Sequence, residues 1–334
     1  MKSTRFSQWA AGLALPFLSA YLGAGEQPWQ ALASLPEPNG GCVAGAVPGA
    51  ILVVGGTNWS GGQKHWLSTV HRLDLETLRW TTLTPLAQPL AYALGGVGHD
   101  RLTIAGGTTG QAMFTGSLRL SGAAVATQIT AGIAVPAVLA AGAQLGDELI
   151  WVGGSDDAAN AAGFRRDAFA WNVRTGEQRT LAPYPGPASG VAAATNAGDE
   201  LFVFGGAGWN DSTKAIFNLT DAYAFSATTN TWRRLQPLPY AVRGLAAVTL
   251  DAGHLYLAGG YKNDAEGFID QAFIYDIAQD RYTPAPSLPY RACVSLVASG
   301  DYVYCLGGED LQKHRSAAVY RIKIAALSQT QALP

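Results

Sequence analysis

The chain has 334 residues, of which 40 are glycine and 17 proline, with 48% hydrophobic and only 14% charged residues. So much apolar content with so little charge excludes an intrinsically disordered chain, and glycine at about 12%, against a usual ~7%, points to many tight turns rather than long helices. A formal net charge of −2, from 22 basic and 24 acidic residues, leaves no basic footprint for nucleic acid and no polybasic patch for an anionic membrane.

The first element in chain order is an address. Lys2 and Arg5 precede an apolar stretch from Trp9 to about Ala24 that ends in small residues, the three-part plan of a secretory signal. The stretch contains Pro16 and falls short of the ~20 residues a membrane-spanning helix needs, so stable membrane insertion is not expected. Residues 1–24 therefore read as a signal peptide and 25–334 as one exported domain, periplasmic or secreted. Cys42, Cys293 and Cys305 make no disulfide framework; one bridge or buried free thiols both fit. There is no CxxC or histidine-rich zinc spacing, so no metal is expected.

Glycine doublets then recur at Gly55-Gly56, Gly106-Gly107, Gly153-Gly154, Gly205-Gly206, Gly259-Gly260 and Gly307-Gly308. Each ends a short apolar run (50–54, 102–105, 149–152, 201–204, 255–258, 302–306) that reads as a buried strand. Beyond the doublets come segments in which an aromatic follows a hydrophobic residue by seven positions: Leu73 and Trp80, Phe225 and Trp232, Tyr275 and Tyr282. A Leu-Pro or a variant of it follows, and then a small-residue strand leads to the next doublet. Four short strands per ~50 residues is the pattern of a β-propeller blade. The expected fold is all-β, a six-bladed propeller. Its doublets let the backbone pass close to the neighbouring blade, and its aromatics fill the wedge between blades. After the sixth doublet only one clear strand remains, at 317–324, while Trp29 and Leu35-Pro36 supply the missing aromatic strand. The N-terminal strand is thus expected to complete the last blade. Blade two, around 118–129, lacks the aromatic marker, and blade three has Gln178 or Arg179 in its place.

In such a blade the loop after the doublet and the loop after Leu-Pro open on one face, where polar residues from every blade gather around the axis. Asn58, Lys64, Trp66, Tyr92, Arg243, Arg291, Glu309 and Arg315 are the candidates singled out there. Cations with aromatics and a carboxylate suit an anionic, hydroxyl-rich ligand, because guanidinium pairs with carboxylate bidentately and an aromatic face covers a sugar ring. Five histidines, with His71 and His99 expected on the opposite side, are too few for a copper oxidase site. Ser-x-Asp-x-Gly-x-x-Trp boxes of the sialidase type are absent from the sequence.

The six doublet-plus-aromatic repeats resemble kelch repeats over essentially the whole mature chain. Two segments are more specific: 55–66 (GGTNWSGGQKHW) with 88–92 (QPLAY), and 307–320 (GGEDLQKHRSAAVY). Both resemble the bacterial sialic-acid mutarotases, also called N-acetylneuraminate epimerases, in their cyclically permuted branch. That resemblance implies a catalytic Glu309 and Arg315, a Glu followed six residues later by Arg. Only these two are carried over from the resemblance; Asn58, Lys64, Trp66, Tyr92, Arg243 and Arg291 are the substrate-binding candidates from their loop positions, and the implied reaction needs no cofactor and takes an acidic sugar as the partner. Leu90 departs from the pattern, standing where related sequences can carry a basic residue. The implied activity is anomer interconversion by acid–base ring opening. The alternative is an exported kelch module that binds a glycan or protein without chemistry. Self-association into a homo-oligomer is left open.

Overall fold

The computed structural model describes residues 28–327 apart from 124–126, 130–131 and 136, so the expected signal, 1–24, lies outside the described residues. The described residues form six four-stranded antiparallel sheets arranged as the blades of a β-propeller. Blade one consists of Val43–Val47, Ala50–Val54, Val70–Asp74 and Trp80–Thr82; blade two of Leu94–Gly98, Arg101–Ala105, Ser117–Leu120 and Thr127–Ile129. Blade three is Ala141–Leu145, Glu148–Val152, Ala168–Asn172 and Gln178–Thr180, and blade four Ala193–Ala197, Glu200–Phe204, Ala222–Ser226 and Thr231–Arg234. Blade five is Ala246–Thr249, His254–Ala258, Ala272–Asp276 and Arg281–Ala285. Blade six combines Cys293–Ser299, Tyr302–Glu309 and Val319–Lys323 with Gln30–Ala31 from the start of the described chain.

The second strand of each blade is covered on both faces. All five residues of Ala50–Val54 are buried, and the last four residues of its counterparts in blades two to five are too. That is why the sequence shows continuous rather than alternating apolar runs there. The innermost strand of each blade touches those of both neighbours, closing the ring around a narrow channel lined by alanines and other small residues.

Each doublet makes the same contact. The second glycine donates its N–H to the lead-in of the next blade: Gly56 to the Leu90 carbonyl, Gly107 to Ala137, Gly154 to Ser189, Gly206 to Val242, Gly260 to Ala292 and Gly308 to Asn39, at 2.7–2.9 Å. All twelve glycines have positive φ. At Gly55 a Cβ would stand 2.0 Å from the Leu90 carbonyl oxygen, so the close inter-blade passage expected from the sequence requires glycine there.

The outer-strand aromatics bond across the same boundaries. Trp80 Nε1 donates to the Ala33 carbonyl, Trp232 Nε1 to Ala182, the Tyr282 hydroxyl to Gln236 and Trp29 Nε1 to Ser287. In blade three Gln178 holds the position, paired with Trp171 as Trp80 is with Leu73. Its side-chain oxygen accepts from the Ala134 N–H at 2.8 Å, the same tie with donor and acceptor exchanged. Blade six closes as expected: Gln30 pairs with Arg321 and Ala31 with Tyr320. Its third strand is shorter than the sequence suggests, because a short helix, Ile324–Leu327, follows and buries Leu327 against the blade.

Candidate functional site

Three blades extend their second-to-third connection into a β-hairpin: Thr57–Ser60 with Gln63–Trp66, Ala207–Asn210 with Ala215–Asn218, and Tyr261–Asn263 with Gly267–Phe268. They rise from the face onto which the doublets and the lead-ins open. Two adjoining cavities lie on that face, sharing Val191, Gly244, Cys293 and Glu309. One, of about 270 Å³, sits over the axis and draws lining residues from every blade. The other, of about 640 Å³, lies toward blades five and six, where Arg243, Tyr261 and Asp264 face Glu309 and Gln312.

Glu309 immediately follows the sixth doublet, at the end of a strand that fixes its backbone. The loop beyond it returns so that the Ser316 N–H donates to the Gly308 carbonyl at 2.8 Å. This closure sets the residues just inside it, Glu309 and Arg315, next to one another, and Arg315 Nη1 reaches Glu309 Oε1 at 2.9 Å. The Arg315 side chain is 5% exposed, against 35% for Glu309. It lies flat over Gly40, where a Cβ would come within 2.5 Å of Arg315 Cδ. Nη1 also donates to the His314 carbonyl, while Nε is buried with no partner among the described residues. The guanidinium thus keeps donors in reserve for a second anion.

On the blade-one side the Lys64 ammonium donates to the Tyr92 hydroxyl at 2.7 Å and stands 4.5 Å from the Trp66 ring centroid. Trp66 meets Tyr92 edge to face at 5.8 Å. Burial pushes the Tyr92 phenol up, but the adjacent Lys64 charge and its hydrogen bond, with Arg315 further off, outweigh this and hold it below its ordinary value. On the opposite side Arg243 stacks 4.3 Å over Tyr261 and donates to Asn218 Oδ1 at 2.8 Å. Cys293, between the two groups, has its thiol pushed up to about 12, chiefly by burial and further by Glu309.

Of the residues expected from the sequence, Glu309, Arg315, Tyr92 and Arg243 line the two cavities, and Lys64 and Trp66 back Tyr92. Asn58 and Arg291 are not among the lining residues. The Asn58 amide donates to Glu37 at 3.5 Å, and Arg291 is exposed on the rim toward Glu266. His99 turns the hairpin at the far face, as expected. His71, by contrast, sits at the near end of its strand, 3% exposed, with Nε2 3.2 Å from Glu37. The cysteines are free thiols. Gly40, Tyr261 and Gln312 went unnoticed in the sequence. Tyr261 directly follows the fifth doublet, as Glu309 follows the sixth, and that position was the signal that could have found it; its bridge to Arg243 places it at the cavity.

The KLHDC2/KLHL20/DRC7 Kelch-repeats domain matches residues 140–332, and the Kelch motif matches residues 38–87. A Kelch domain-containing protein of Vibrio cholerae is 31% identical over 104 residues, 30% of this chain and 29% of that protein. Kelch-like protein 36 of Rattus norvegicus is 23% identical over 273 residues, 81% of this chain and 44% of that protein. An N-acetylneuraminate epimerase of Salmonella paratyphi B is 32% identical over 96 residues, 28% of this chain and 24% of the epimerase. The chain spans less than half the length of these curated relatives. With the family's repeats matched over more than half of its length, and a doublet in each of its six blades, the chain belongs to the kelch-repeat family.

Proposed function

We propose that this protein is an exported mutarotase that interconverts the anomers of N-acetylneuraminate or a related acidic sugar by acid–base ring opening. The observation that carries the reading is the Glu309–Arg315 pair at the edge of the axial cavity, with Arg243 lining the cavity that adjoins it. The similarity to the Salmonella epimerase supports it.

Glu309 accepts the proton of the anomeric hydroxyl as the bond from the anomeric carbon to the ring oxygen breaks, leaving a carbonyl. Tyr92, made more acidic by Lys64, delivers a proton to the departing ring oxygen. After rotation about the bond between the carbonyl carbon and the next carbon of the former ring, the hydroxyl re-adds to the other face of the carbonyl. Glu309 then returns its proton to the anomeric oxygen, and Tyr92 recovers its own. Arg315 and Arg243 hold the sugar carboxylate by charge-assisted bonds. A positioned carboxylate supplies about 10²–10⁴-fold acceleration. That is a useful increment over spontaneous mutarotation. A concave face lined by a carboxylate and arginines favours this reading over a flat docking platform.

Anomer-resolved NMR of freshly released α-anomer is the test. Glu309→Gln is expected to bring the rate to the uncatalysed background while the fold is retained. A Glu309→Gln protein as fast as the parent would remove Glu309 from the mechanism. Tight binding of the sugar by the parent without rate enhancement would leave a binding module.

A further inference from the structure

Five lead-ins carry a residue in the left-handed region two positions before the innermost strand: Gly41, Tyr92, Leu139, Val191 and Gly244, with φ between +55° and +71°. These residues hydrogen-bond to one another around the axis. The Tyr92 N–H donates to the Gly41 carbonyl, Leu139 to Tyr92, Val191 to Leu139 and Gly244 to Val191, at 2.8–3.2 Å. Each of the three central residues gives one N–H to the blade before it and one carbonyl to the blade after it.

Blade six breaks the series by length. In the other blades two residues separate the bridge to the position after the doublet from the first regular pair. In blade one, for example, Gly40 bridges Thr57 and Val43 pairs with Val54. In blade six Cys293 pairs with Glu309 and Ser295 with Leu306, so only Val294 lies between them. The residue that would be left-handed has no counterpart. As a result the Gly244 carbonyl and the Gly41 N–H, the two ends of the open ring, have no hydrogen-bond partner among the described residues. Both glycines line the axial cavity with Glu309 and Arg315.

An unpaired backbone donor and acceptor facing one cavity are strong recognition groups. The gap is one residue wide and calls for an N–H directed at Gly244 and a carbonyl directed at Gly41. A secondary amide carries those two groups on opposite sides, whereas a hydroxyl concentrates both on one oxygen. We propose that the break in the ring over blade six is a subsite for the N-acyl group of an acylamino sugar acid, its N–H donating to the Gly244 carbonyl and its C=O accepting from the Gly41 N–H. The choice of an acidic sugar rests on the function proposed above; the amide preference rests on the open ring alone.

Gly-Leu occurs in the sequence only at 12–13 and 244–245, so carbonyl-¹³C glycine combined with ¹⁵N leucine isolates the Gly244 carbonyl resonance in protein lacking 1–24. Titration with N-acetylneuraminate is expected to shift that resonance. The analogue with a hydroxyl in place of the acetamido group is expected to bind about ten-fold more weakly, the value of one to two hydrogen bonds. A glycine inserted between Val294 and Ser295, which gives blade six the length of the others, is expected to abolish the preference. Should that variant not fold, the resonance and the two affinities decide by themselves. Mutarotation of N-acetylneuraminate with an unmoved Gly244 carbonyl, or equal affinity for the two sugars, overturns the subsite and leaves the proposed activity standing. Neutral N-acetylglucosamine moving the resonance while acidic sugars do not bind supports the subsite and removes the acidic substrate. Silence toward all three sugars overturns the subsite as well.

Discussion

Two glycines of blade one allow the doublet's role to be separated into backbone strain and inter-blade contact. Gly49, in the turn between Val43–Val47 and Ala50–Val54, has φ +69°, and a Cβ there would meet nothing within 4 Å. Gly55 has nearly the same φ, +61°, but its Cβ would lie 2.0 Å from the Leu90 carbonyl oxygen, which accepts from the Gly56 N–H. Alanine at either site pays the left-handed penalty of about 1–2 kcal/mol, partly offset by a stiffer unfolded chain. Gly49→Ala is therefore expected to cost about 1 kcal/mol. Gly55→Ala adds a displaced inter-blade hydrogen bond of about 1 kcal/mol and the strain of parting two packed blades, about 1–3 kcal/mol. Its total is about 3–5 kcal/mol. With a urea m-value of about 3 kcal/mol/M, the midpoints should fall by about 0.3 M and by at least about 1 M. Equal shifts of the two midpoints would refute the claim that the doublets are spacers between blades.

Two further outcomes concern the site. Removing the Lys64 charge by Lys64→Met leaves burial of Tyr92 opposed by the Thr57 hydroxyl and the Arg315 charge, the smaller influences, so the phenol should titrate at higher pH than in the parent. With 13 tyrosines in the chain, the measurement is a phenolate absorbance titration taken as the difference from a Tyr92→Phe control; coincident difference curves would separate Lys64 from Tyr92. Cys293 lines the cavity, yet with its thiol near 12 it carries almost no thiolate at pH 8. Mass spectrometry after iodoacetamide treatment of the folded protein should find it unmodified, and rapid alkylation would contradict the raised thiol beside Glu309.

The blades were legible because their marks are steric. A doublet that must pass under a neighbouring carbonyl tolerates no side chain, so Gly55-Gly56 and its five counterparts stand out from the sequence unaided. Trp80 and Trp232 fill wedges that few other residues fill. Gln178 was ambiguous because its amide serves the same boundary with reversed polarity, which residue size alone does not reveal. At the site, Glu309 and Arg315 were readable as members of the loop after the sixth doublet, and as a pair from the resemblance to the sialic-acid mutarotases. Asn58 was not, because the side to which a hairpin strand turns each residue depends on its register, and the lure was Glu37, outside the repeat pattern. The residue missing from blade six was invisible for a plainer reason: the lead-ins share no fixed residue at the left-handed position, which is Gly41, Tyr92, Leu139, Val191 or Gly244, and one residue fewer leaves no mark until strands are paired.

The blade that bears Glu309 and Arg315 is also the blade assembled from both ends of the described chain. Its outermost strand is only Gln30–Ala31, fastened by Trp29 and by the Arg321 bond to Gln30. Its inter-blade tie at Gly308 goes to Asn39, just beyond that strand. The stretch that runs from this clasp into blade one carries both Asn39 and Gly40, so the clasp and the floor beneath Arg315 are made from one segment of chain. On the function proposed above, a sugar bound against Arg315 stabilises the closed clasp by mass action, so its affinity reports on the closure of the ring.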